Sequence, residues 1–156
     1  MPPVATVAGE QRQMSTIVLA TERAVPGGAQ QALRLVAAPL RERGWDVRAL
    51  VGEPGPLVDD LRAGGTRTTV ASDAAALGDL GADVVLSMGA SGHAWTGPVA
   101  AQLGIPAAWW LELTLRGRPR ERDALALPAT AVAAPTQAAA RALREHALEL
   151  PVEVVA

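Results

Sequence analysis

TIVLATERAVPGGAQQALRLVAAPLRERGWDVRALV, Thr16 to Val51, contains a complete strand–helix–strand unit. Thr16 to Ala20 is a continuous apolar run, the pattern of a strand covered on both faces. Pro26-Gly27-Gly28 is a turn. From Ala29 to Arg43 the apolar residues Ala32, Leu33, Val36, Ala37 and Leu40 recur at helical spacing. Gly44 is placed to end that helix. Pro39, inside it, is expected to kink or shorten it. Trp45 to Val51 then reads as a second strand.

The same alternation continues downstream. Gly52 to Pro56 is a turn, and Pro56 to Ala63 is a short helix with proline at its first position. Thr66 to Ala71 is strand-like through its β-branched residues. Asp73 can cap a helix that runs to Leu80. Asp83 to Ser87 is another buried strand, followed by a loop from Met88 to Gly92 and a helix from His93 to Leu103. Ile105 to Leu111 is the next strand, and Leu113 to Arg122 is a polar, arginine-bearing loop. A short helix over Asp123 to Leu127, a strand over Thr130 to Ala134 and a helix from Thr136 to about His146 follow. Val152 begins a last strand.

Strands alternating with helices predict a doubly wound α/β domain: a mainly parallel sheet with helices on both faces. Residues 1–13 read as a disordered leader and residues 14–156 as one domain.

Composition narrows the chemistry. All 14 basic residues are arginine, cysteine is absent, and the net charge is −2. Without cysteine there is no disulfide, no thiolate nucleophile and no cysteine-bound zinc. A slightly acidic chain lacks the basic stripe of a nucleic-acid binder. No apolar run reaches the roughly 20 residues of a membrane helix. The start of the chain lacks the basic-then-apolar pattern of a signal peptide. A cytoplasmic location is expected, with a peripheral position at a membrane compatible with it.

Several motifs fail. A P-loop needs its lysine, and there is none. The dinucleotide fingerprint G-x-G-x-x-G is missing after the first strand. In Gly89-Ala90-Ser91-Gly92-His93, histidine stands where a hydrolase elbow needs glycine. His93 and His146 have no metal-ligand spacing.

Four features survive, each with a plain alternative. Gly27 and Gly28 let the backbone approach an anion at a helix start, or simply make a tight turn. His93 sits at a strand's carboxyl edge and can bond a hydroxyl or exchange a proton; it equally reads as a helix-start histidine satisfied by backbone. Glu112, after Trp109 and Trp110, can bind sugar hydroxyls or act as a base. The two tryptophans point to opposite sides of their strand, so at least one belongs to the core. Arg116, Arg118, Arg120 and Arg122 can clamp a phosphate, although such runs are more often solvated surface.

An ordered series of segments resembles the N-terminal domain of family-four glycosyltransferases, retaining enzymes of the GT-B fold. Its members are PGGAQQALRLVAAPLRERGWDV (Pro26 to Val47), GPLVDDLRAGG (Gly55 to Gly65), DVVLS (Asp83 to Ser87), AAQLGIPAAWWLE (Ala100 to Glu112) and AVAAPTQAAARALREH (Ala131 to His146). The resemblance implies a Rossmann-like half that holds the acceptor, a sugar or lipid-linked molecule. A C-terminal GT-B domain, in the same chain or another, would hold the nucleotide-sugar donor as co-substrate. No cofactor or metal is implied, and a hexosyltransferase-type activity would need both halves. Gly27 and Gly28 match the family's loop near the donor phosphates. Gln30 stands where the family often has glutamate, and Glu112 stands near its frequent histidine. Substrate-binding candidates are therefore Gly27, Gly28, His93, Glu112, Arg116 and Arg118. The competing reading is a stand-alone, non-catalytic α/β binding or regulatory module. A small hydrolase or nucleotide-binding protein of flavodoxin-like shape is a third.

Overall fold

The computed structural model describes residues 14–24, 28–110, 131–134 and 152–154. The elements in chain order are β1 (Thr16–Thr21), α1 (Gly28–Glu42), β2 (Asp46–Val51), α2 (Pro56–Ala63), β3 (Arg67–Val70), a 3₁₀ helix (Ala74–Leu80), β4 (Val84–Met88), α3 (Gly89–Leu103), β5 (Ala107–Trp110), β6 (Ala131–Ala134) and β7 (Val152–Val154). Among the described residues, seven strands form one sheet in the order β3-β2-β1-β4-β5-β6-β7. All their pairings are parallel.

Alternation along each strand assigns side chains to two cores. Ile17 and Leu19 of β1, Val47, Ala49 and Val51 of β2, and Met88 of β4 face α1 and α2, meeting Leu33, Ala37, Leu57, Val58 and Leu61. Val18, Ala20, Leu50, Val85 and Ala107 face the opposite way, toward Leu77 of the 3₁₀ helix and Ala100 of α3. Each fully buried Leu or Val contributes about 1.5–3 kcal/mol against exposure. Helices therefore cover both faces, and the doubly wound Rossmann-like architecture expected from the sequence is the one observed.

Several local expectations meet differences with identifiable causes. α1 runs through Pro39 to Glu42 rather than stopping short. The bond that proline cannot make is the one to Leu35 four residues back, and both residues lie on the exposed side of the helix, where water can substitute. Trp45 precedes β2, because its N–H bonds to Leu40 and closes the end of α1 (3.1 Å). Asp73 does cap the next helix, accepting from the Ala75 amide at 2.8 Å, and that helix is 3₁₀. β5 starts at Ala107 because the Ile105 amide returns to Ala100 (2.9 Å) to end α3 at Gly104. The largest difference lies at Met88 to Gly92. This segment is not a loop: β4 ends at Met88 and α3 begins at Gly89.

Candidate functional site

The strand order reverses between β1 and β4. From β1 the chain passes through α1 to β2 on one side; from β4 it passes through α3 to β5 on the other. At such a switch point the two crossovers diverge and leave a crevice beyond the carboxyl ends of the strands, where ligands of open α/β sheets bind. The described segments that leave the strands at this point are Glu22 to Ala24 after β1, Gly52 to Gly55 after β2, and the first turn of α3.

The segment after β1 is held from two sides. The Gly52 amide donates to the Thr21 carbonyl at 3.0 Å, and the Ala24 amide donates to Glu53 Oε1 at 3.1 Å. Gly52 lies so close that an added Cβ would sit 2.3 Å from the Glu22 carbonyl oxygen. Across the switch point, Ser91 Oγ donates to Glu22 Oε2 at 2.7 Å. Glu22 and Ser91 are each partly buried.

The turn from β4 into α3 has no spare residue. Gly89 takes φ +76, a left-handed value that other residues adopt only under strain. Gly89, Gly92, His93, Thr96, Gly97 and Ala100 form the buried face of α3. The small residues let the helix lie close to the strands; a Cβ on Gly92 would stand 3.4 Å from the Ala20 carbonyl oxygen. Ser87 Oγ and Thr96 Oγ1 hydrogen-bond in this interface, and Thr96 Oγ1 also donates to the Gly92 carbonyl at 3.0 Å.

His93 is on this buried face, with 0% of its surface exposed. Its imidazole stacks on the Trp109 indole, with ring centroids 5.5 Å apart and planes 6° apart. Trp109 is also fully buried, and its Nε1 has no hydrogen-bond partner among the described residues. Trp110, on the other side of β5, is half-buried and packs against the α1 core. The structure thus brings His93 and Trp109 together beneath the carboxyl edge. Gly28 is the first residue of α1, at the same edge of the sheet. Gly27, Glu112, Arg116, Arg118, Arg120 and Arg122 lie outside the described residues.

Sequence reasoning missed Glu22, Ser91 and Glu53. Glu22 and Ser91 are 69 positions apart; Glu22 belongs to no motif, and Ser91 stands in the sequence only within the hydrolase-elbow pattern that fails. Glu22 does immediately follow the first apolar strand, and that position is the one signal that could have singled it out. Among the described residues no group of three or more His, Asp or Glu is placed to hold a metal, and no helix is long and apolar enough to cross a membrane.

No family model matches the chain, and no curated protein matches it. Solved structures do. HepE (Alr3699) of Anabaena, solved in complex with UDP, aligns with a TM-score of 0.76 at 20% identity, over 91% of this chain and 43% of its own. MurG of Acinetobacter baumannii aligns with a TM-score of 0.69 at 14% identity, over 90% of this chain and 45% of its own. LpCGTa, solved in complex with UDP, aligns with a TM-score of 0.63 at 14% identity, over 92% of this chain and 52% of its own. The fold is that of a Rossmann-like domain of GT-B glycosyltransferase type. More narrowly, the chain is similar to the N-terminal half of these enzymes, and it spans about half of their length.

Proposed function

We propose that this chain is the acceptor-side half of a glycosyltransferase, of the retaining, family-four type that its ordered segments resemble. The observation that carries this reading is a fold match over nine-tenths of the chain that covers only 43% of HepE. A second GT-B domain, in the same chain or another, would bring a nucleotide-sugar donor over the switch-point crevice. HepE and LpCGTa were both solved with UDP, which supports a uridine nucleotide as the first donor type to try.

The remaining roles are assigned from the sequence. Gly27 and Gly28, leading into α1, would let backbone amides approach a phosphate or the acceptor. Glu112 would meet acceptor hydroxyls, and Arg116 and Arg118 would pair with a phosphate on a lipid-linked acceptor. His93 would act from beneath, by holding Trp109 at the end of β5. The competing reading, a stand-alone binding or regulatory module, predicts no transfer.

The test uses the protein as its host produces it. An intact mass near twice 16.0 kDa, with sugar transfer from a UDP-sugar, is the expected result. Gly28→Trp should then abolish transfer with the fold retained, because the indole would fill the approach that glycine leaves open. A native mass near 16.0 kDa, with no transfer in the presence of any copurifying partner, would overturn the proposal.

A further inference from the structure

β3 is an outer strand: it pairs with β2, and no strand lies beyond it among the described residues. The Ala71 amide donates to the Val51 carbonyl of β2 at 3.0 Å, so the backbone groups of Ala71 turn toward β2. Backbone groups alternate in direction along a strand. Those of Arg67 and Thr69 therefore turn the same way, and those of Thr68 and Val70 turn outward. An outer strand that leaves such groups open is a template for another chain. β2 separates this edge from β1 and the switch point, so what happens here is independent of the functional reading above.

Arg62, in the last turn of α2, reaches back over this edge. The chain reverses through Gly64 and Gly65, and Arg62 Nη2 donates to the Thr68 carbonyl at 3.1 Å. The Thr66 carbonyl, just before the strand, accepts from Thr68 Oγ1 at 3.0 Å. Val70 has no such cover among the described residues. A second copy of the chain is the occupant this edge fits. With two β3 strands antiparallel about a two-fold axis at Thr69, Thr68 of each copy faces Val70 of the other. Both residues turn their backbone groups outward, so each pair can exchange its two N–H···O=C bonds. Thr69 meets Thr69 and Arg67 meets Ala71, so no like charges of the strands oppose each other. Arg62 intervenes in both pairs. Its guanidinium stands at the Thr68 carbonyl of each copy, which takes up half of those bonds and brings two positive charges to the seam.

We infer that Arg62 is an edge guard: by holding the Thr68 carbonyl it keeps a second copy of this chain from adding across β3. Arg62 is exposed and makes its bond six residues from its own position, so the guard belongs to the α2–β3 connection itself.

The experiment is sedimentation velocity on the full chain over a wide range of concentration, comparing the parent with Arg62→Ala and with Arg62→Ala/Val70→Pro. Alanine is the best helix former, so the exposed end of α2 should tolerate it. Proline at Val70 deletes an outward N–H, a position where it removes no bond to β2. Circular dichroism establishes that each variant is folded; Arg62→Met, which keeps the stem and loses every donor, replaces the alanine variant if that one is not. Arg62→Ala should self-associate about tenfold or more tightly than the parent, the scale of one hydrogen bond from a charged donor. The added proline should return association to the parent's level. A folded Arg62→Ala variant that associates no more tightly than the parent would overturn the inference. So would added association that persists with Val70→Pro, because the contact would then lie elsewhere than β3.

Discussion

The imidazole of His93 and the indole of Trp109 lie parallel, 6° apart in plane and 5.5 Å between centroids, sealed beneath the carboxyl edge of the sheet. The pair joins the N-terminal half of α3 to β5, the two elements on the far side of the switch point from α1. Its role is therefore mechanical in the first instance. It sets how α3 sits on the sheet, and hence where Ser91 and its bond to Glu22 fall.

His93→Ala removes half of that stack and leaves a cavity in a packed interface. We expect a loss of about 2–4 kcal/mol in urea unfolding, the range for large-to-small core changes. A histidine lining open solvent would instead cost less than about 0.5 kcal/mol. A loss below that level would therefore remove His93 from the core account.

Trp109→Phe is the complementary change. It keeps a ring for His93 to stack on and deletes a buried indole N–H that has no partner among the described residues. Leaving such a donor unsatisfied costs about 1–3 kcal/mol, which offsets much of the packing lost with the smaller ring. Stability within about 1 kcal/mol of the parent is expected. A drop as large as that of His93→Ala would show that the indole's volume outweighs the cost of burying its N–H.

Two glycine substitutions separate crowding from backbone strain. Gly52→Ala would place a Cβ 2.3 Å from the Glu22 carbonyl oxygen, so one of two anchored segments must move. A loss of about 2–3 kcal/mol is expected. Gly81→Ala has open space around the new methyl but keeps φ +66, which costs about 1–2 kcal/mol. Thermal unfolding of the two variants should rank Gly52→Ala as the more severe.

Surface arginines should divide by geometry. Arg34 and Asp60 pair at 2.9 Å with side chains 49% and 52% exposed. A double-mutant cycle should give no more than about 0.5 kcal/mol, since solvent screens such pairs. Arg48 is more enclosed and makes a fork: Nε and Nη2 donate to Asp46 at 3.2 and 3.0 Å, and Nη1 donates to the Leu80 carbonyl at 2.9 Å. Arg48→Ala should cost about 1–2 kcal/mol, and lysine should not rescue it, because one ammonium cannot span both acceptors.

Much of the fold could be read from local pattern. β1 differs from the apolar run Thr16 to Ala20 by one residue, and α2 occupies the predicted Pro56–Ala63. Proline and glycine punctuate the chain where the dihedral constraints of those residues demand it, and apolar spacing changes from that of strands to that of helices within a few positions. These signals lie within one turn or one strand, so a sequence contains them in full.

What the sequence could not express were events between distant segments. Gly89 to Gly92 looks like a loop because glycine is a poor helix former. The segment is helical because burying Gly89, Gly92 and His93 against the strands requires small residues at those positions, and that tertiary burial overrides the local preference. His93 reads equally well as a cleft residue until β5 brings Trp109 over it. Glu22 carries no signal beyond its place after β1 until the strand order sets β1 beside β4, and so brings Ser91 within 2.7 Å. Local propensity and periodicity determined which segments are strands and helices. The order of the strands decided which side chains meet, because only packing across the sheet joins residues that the chain itself holds far apart.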